Sequence, residues 1–135
     1  MFILNIIVCV DNRNGMMFNK RRLSSDSLLR QNIYDMLQDE KLWMNSYSSK
    51  QFTEEYSGIT VCDDFMQQAN EDEYCFVENP DDLINAEIGQ IVIYRWNRDY
   101  PADKFFNMDV SDRTLISTEE FAGSSHDKIT KEVYE

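Results

Sequence analysis

Asp26 lies between the basic, serine-containing stretch Lys20–Ser25 and a segment of helical apolar spacing. A carboxyl group at the mouth of a cleft could hydrogen-bond the N–H pair of a heterocycle. It could also donate a proton, provided burial raises its pKa. Aspartate is equally a preferred helix N-cap, where the helix dipole favours the ionised form. Arg13, Lys20, Arg21, Arg22 and Arg30 put five of the 13 basic residues into one short stretch of a chain of net charge −12. Such a cluster could bind an anionic ligand or an acidic partner. The alternative is a solvated loop whose charges pair with the surplus of acids. Trp43, Tyr47, Phe52 and Tyr56 could line a pocket for a flat ring, or fill a core. Alternation in Tyr94–Trp96 puts Tyr94 and Trp96 on one face and Arg95 on the other. His126 sits in the turn-rich Gly123–Asp127. It would need a nucleophile and an orienting acid to act as a base. Ser124, Ser125 and Asp127 are too close in sequence to supply them, and an exposed turn residue is the expectation. Cys62 and Cys75 do not have zinc-ligand spacing.

The elements that must carry these residues follow from pattern. Eight of the nine residues Phe2–Val10 are apolar, which predicts a strand buried on both faces. Asp11–Gly15 is turn chemistry, and a loop is expected over Met16–Ser25. Asp26–Leu37 carries Leu28, Leu29, Ile33, Met36 and Leu37 at helical spacing. Strands are expected at Lys41–Met44, Ile59–Cys62, Glu73–Val77 and Ile88–Trp96. Short helices are expected at Lys50–Tyr56 and Phe65–Ala69, and a helix start at Asn79–Leu83. Late strands are expected at Lys104–Phe106, Thr114–Ser117 and Lys128–Tyr134, the last with the period of two of an edge or half-exposed strand. Early alternation of strand and helix with a late run of strands implies one α/β domain over residues 1–135. Its sheet is mainly parallel and twisted, with an antiparallel C-terminal edge and flanking helices.

Composition narrows the function. At 42% hydrophobic and 13% aromatic residues, the chain has the material for a core. No apolar run approaches the ~20 residues of a membrane span. Phe2–Val10 has neither a basic lead nor a small-residue cleavage site, so a signal peptide is not expected. Three cysteines in apolar context suggest reduced thiols and a cytoplasmic protein. The acidic balance disfavours nucleic-acid binding. A zinc-dependent ribonuclease Z needs a His-x-His-x-Asp-His cluster with further histidines, and His126 is the single histidine, so that chemistry finds no support.

Several segments in order resemble dihydrofolate reductase, in the form of a small, divergent bacterial relative. Val8–Asp11 followed by Gly15-Met16 resembles the family's first strand and its turn into the mobile loop over the active site. Leu23–Asp26 resembles its Leu-Pro-x-Asp/Glu, where the acid sits against the pterin. Leu42–Met44 resembles the strand before Met-Gly-Arg-x-Thr, and Glu73–Val77 the strand leading to a Gly-Gly cofactor turn. Ile91–Trp96 resembles the core strand that follows. Asp103–Phe106 resembles Asp-x-x-Phe-Pro, while Ser117–Phe121 and Thr130–Tyr134 resemble the closing strands. The resemblance implies a dihydrofolate-reductase-like fold.

The departures fall on the cofactor motifs. Asn45–Ser48 replaces Gly-Arg-x-Thr, although Ser48 could keep a hydroxyl at a helix start. Glu78-Asn79-Pro80 replaces the glycine pair, which in the family lets backbone N–H groups approach a pyrophosphate. A carboxylate there repels phosphate and Pro80 lacks a donor. Arg21 stands where the family has a tryptophan, and Tyr94 where a strand threonine supports the acid. A strand and part of a helix are expected to be missing between Phe52 and Ile59. No cofactor is therefore expected, NADPH included. The leading expectation is a non-reductase relative, a small cytoplasmic ligand-binding or regulatory protein. Its ligand-binding residues would be Arg21, Arg22, Arg30, Ser48 and Tyr94. One alternative is an enzyme using Asp26 on a small anionic or nucleotide-like substrate, including a divergent reductase. Another is an interaction module using the basic loop and the edge strand Lys128–Tyr134, which could also pair two copies into a homodimer.

Overall fold

The computed structural model describes residues 3–83 and 86–135; Phe2, the first residue of the expected opening strand, lies outside them. The Ile/Val-rich run forms β1 (Leu4–Val10). Side chains alternate across a strand. Leu4, Ile6, Val8 and Val10 enter one apolar cluster and Ile7 enters another, so β1 is covered on both faces. Helix α1 (Ser27–Leu37) covers the second face with Leu29, Ile33, Tyr34 and Leu37. The first face is closed by Met16, Met17, Trp43, Phe65 and Phe106.

The other strands are β2 (Gly15–Phe18), β3 (Arg21–Arg22), β4 (Leu42–Met44), β5 (Ile59–Val61), β6 (Tyr74–Phe76), β7 (Ile88–Arg95), β8 (Lys104–Phe105), β9 (Leu115–Phe121) and β10 (Ile129–Tyr134). Helices α2 (Ser46–Ser49) and α3 (Phe65–Gln68) are single turns. The main sheet runs β5-β4-β6-β1-β7-β10-β9. It is parallel from β5 to β7 and antiparallel at β10 and β9, the α/β domain expected. A small second sheet, β3-β2-β8, lies beside it.

Three local expectations are corrected. The helix at Lys50–Tyr56 does not form. Asn45 caps the single turn α2 by accepting from the Ser48 N–H at 2.8 Å. The chain then leaves the helix because Phe52 is drawn into the core and Glu54 is held by Arg30 and Tyr34. Lys128–Tyr134 is not the edge: β9 extends to Phe121 and pairs outside β10, so Leu115–Phe121 is the exposed rim. Within the expected loop Met16–Ser25, β2 and β3 form a hairpin through Asn19 and Lys20, both in the left-handed region (φ 52° and 64°). Two positive-φ residues are what a tight two-residue hairpin turn requires, but a lysine there hides the signal.

Candidate functional site

Two polar clusters flank the N-terminus of α1. The first is built on Asp26, the N-cap, with an extended backbone (φ −155°, ψ 124°). Its side chain is fully buried. Oδ1 accepts from the N–H groups of Leu28 (3.0 Å), Leu29 (3.2 Å) and Ser124 (2.9 Å). Oδ2 accepts from Ser125 N–H at 2.9 Å and faces His126 Nδ1 at 2.9 Å. Burial alone would raise the pKa of this carboxyl. The N–H groups of Ser124 and Ser125, with His126 and Leu29, outweigh burial and hold it well below the usual carboxylate range. Asp26 is therefore ionised at neutral pH, the opposite of the raised pKa that proton donation would need.

His126 is 4% exposed, which corrects the exposed turn expected from sequence. It stacks on Trp96 with centroids 4.5 Å apart. Because ionised Asp26 can only accept, the hydrogen-bond network assigns the ring proton to Nδ1. Nε2 is left as an acceptor facing two hydroxyls, Tyr100 at 2.9 Å and Ser24 at 3.1 Å. Four segments thus meet at one imidazole: the end of the small sheet, the helix cap, the β7–β8 loop and the β9–β10 turn. The turn can approach this closely because residue 123 is glycine; a Cβ there would collide with the Asp26 carboxylate.

The second cluster is built on Arg22 and Glu78. Arg22 Nε and Nη2 reach Glu78 Oε2 and Oε1 at 2.8 and 3.1 Å, a two-point ion pair. Arg22 Nη2 also donates to the Tyr47 carbonyl (3.1 Å), and its guanidinium lies 4.4 Å from the Tyr47 ring centroid. Glu78 accepts further bonds from Ser48 Oγ at 2.8 Å and Gln51 Nε2 at 3.0 Å. Burial raises the Cys9 thiol well above its usual range, and the nearby Glu78 carboxylate adds to that. The crevice between the two clusters, floored by Cys9, Leu29 and Phe76, has a volume of about 10 Å³, room for about one water.

The predicted site residues divide accordingly. Arg22 and Ser48 are brought together with Glu78, and Asp26 lines the same crevice. Arg30 also lines the crevice, but its guanidinium is taken by Glu54 at 2.8 and 2.9 Å and pulls the Glu54 carboxyl down to about 2. Tyr94 is wholly buried and donates to Asn32 Oδ1 at 2.7 Å. Arg21 is exposed. It lines a groove of about 330 Å³ with Phe18, Asn19, Arg22, Leu23, Tyr100 and Pro101, and this groove shares Arg22 and Leu23 with the crevice. Phe18 is 46% exposed. Among the described residues, no acidic side chain forms an ion pair with Arg13, Lys20, Arg21 or Arg98. Sequence reasoning missed Ser24, Tyr100 and the role of His126. Spacing carries no signal for contacts that span 100 residues, as between His126 and Asp26.

Among the described residues no three His, Cys, Asp or Glu side chains converge on a metal position, and no helix is long and apolar enough to cross a membrane. No protein-family model and no curated protein sequence matches the chain. Among solved structures it is similar to a dihydrofolate reductase from Enterococcus faecalis complexed with NADP(H) and RAB-propyl. That match has a TM-score of 0.67 and 11% sequence identity over 98% of this chain and 95% of that one. The chain has a dihydrofolate-reductase-like fold, and at this identity the likeness extends to the fold alone.

Proposed function

We propose that this protein is a non-reductase relative of the dihydrofolate reductase fold, a small cytoplasmic protein that binds an anionic ligand or an acidic protein segment. The observation that carries this reading is the Arg22–Glu78 pair, with Ser48 and Gln51 on the same carboxylate. It stands at the turn where the resemblance places the family's glycine pair, and the crevice beside it has room for about one water. A dinucleotide would have to break a two-point ion pair and then meet the Glu78 carboxylate.

Binding is assigned instead to the groove beside the β2–β3 hairpin. Its volume suits a small molecule. Phe18 and Tyr100 supply ring surface and Arg21 a guanidinium suited to a phosphate or carboxylate. Arg13, Lys20, Arg21 and Arg98, which no acid among the described residues takes up, favour an external anion in a chain of net charge −12. Three free thiols suit a reducing compartment.

The test is a thermal-shift titration with phenyl phosphate, which offers one ring and one dianion. A ligand specific to the folded state adds ~2.7 kcal/mol at ~100 times its Kd. A saturable upward shift that disappears in Arg21→Ala is expected. No shift up to millimolar concentration would remove the groove as an anion site.

A further inference from the structure

Behind Tyr100, where the groove adjoins the crevice, lies an arrangement that a ligand-binding role does not use. Tyr100 is a wall of the groove, and its hydroxyl lies 2.9 Å from His126 Nε2. Ser24 Oγ lies 3.1 Å from the same nitrogen; Ser24 itself lines the crevice and directly follows Leu23, which borders both crevice and groove. On the other side of the ring, Nδ1 is 2.9 Å from a carboxylate held ionised by backbone N–H groups. Hydroxyl and buried carboxylate face opposite nitrogens of the imidazole, with the proton assigned to the one that faces the acid. That is the relation of nucleophile, base and positioning group used in acyl transfer, which is recognised by geometry and not by sequence order. The Trp96 face holds the ring in plane. Ser24 is half-buried, not sealed.

The geometry points to a Ser24–His126–Asp26 triad that hydrolyses carboxylic esters bearing an aromatic or anionic group that the groove can hold. This rests on the groove reading above. Ser24 Oγ attacks the ester carbonyl as its proton passes to His126 Nε2, and the new C–O bond forms a tetrahedral intermediate. The ester C–O bond breaks, and the leaving alcohol takes the proton from Nε2. Water, deprotonated by the same nitrogen, then attacks the acyl-serine. It releases the acid and returns the proton to Ser24. Asp26 touches no substrate: it fixes the ring tautomer. The Tyr100 hydroxyl shares Nε2 with Ser24 and must give up that nitrogen when Ser24 transfers its proton.

The experiment is covalent labelling of the full chain with a small alkyl fluorophosphonate, with the adduct mapped by peptide mass. One adduct on Ser24 is expected, absent in Ser24→Ala and formed at least about 100-fold more slowly in His126→Asn. Imidazole ¹⁵N shifts of the unmodified protein should place the ring proton on Nδ1, a signature that a purely packing histidine does not require. No adduct, an adduct confined to any other residue, or a proton on Nε2 would overturn the triad, and these readouts need no variant to fold. Phenyl phosphate separates the two readings. Binding without labelling leaves the groove and removes the triad, whereas labelling without phenyl phosphate binding removes the groove and leaves the triad.

Discussion

Arg21 and Arg22 are neighbours on a two-residue strand and lead opposite lives. Arg22 turns toward the sheet, where Glu78, the Tyr47 ring and the Tyr47 carbonyl all engage it. Arg21 faces out beside Phe18 with no acidic partner among the described residues. Side chains alternate across a strand, so the hairpin turns Arg22 toward Glu78 and Arg21 toward the surface. The difference is the one on which the proposed binding groove rests. A cation already saturated by a buried acid adds rigidity. Arg21, with no ion-pair partner among the described residues, is the cation to which the proposed anion binding is assigned.

The inner side of that comparison breaks first at Asp26. Asp26→Ala removes a cap and leaves the N–H groups of Ser124 and Ser125, and His126, without their acceptor. Urea unfolding should register a loss of about 3–5 kcal/mol. Glu78→Ala strands Arg22, Ser48 and Gln51 and should cost about 2–3 kcal/mol, less than a fully buried pair because Arg22 keeps some solvent contact. In a double-mutant cycle with Arg22→Ala the two losses should fall short of additivity by more than 1 kcal/mol.

Acid should act on the same side. Asp26, Asp11 and Glu54 all have depressed folded pKa values. Each contributes stability that is complete above its unfolded value of about 4 and is lost as pH falls through the folded one. Stability at pH 6 should therefore exceed that at pH 3, with the decline beginning near pH 4. On the outer side, Arg21→Ala should leave stability within about 0.5 kcal/mol of the parent while abolishing the phenyl phosphate shift. Smallest of all, removing the exposed Lys104–Asp81 pair should change stability by a few tenths of a kcal/mol.

Much of the fold is visible in local pattern. Unbroken apolarity in β1, helical spacing in α1 and the period of two in β10 each follow from burial on both faces, one face, or alternate faces. The failures are tertiary. Lys50–Tyr56 lost its helix to the pull of Phe52 and Glu54 on partners far along the chain. The β2–β3 hairpin was hidden because Lys20 adopts a conformation more usual for glycine or asparagine. At the candidate site, Asp26 and Arg22 could be picked out by type and position. Glu78 was visible as an obstacle to phosphate, but not as the anchor of Arg22. His126 was legible only as a turn residue, because its burial depends on Trp96 and Tyr100 from the β7–β8 loop and Ser24 from the end of the small sheet.

The most direct test of the central claim is a titration of the purified protein with NADPH, with and without dihydrofolate, followed by thermal shift. The closed crevice predicts no shift at millimolar NADPH, because the ligand would have to break the Arg22–Glu78 pair before it gained a contact. A saturable shift in the unmodified protein would contradict the account: the cleft would then open to dinucleotide, and the chain would belong with the reductases.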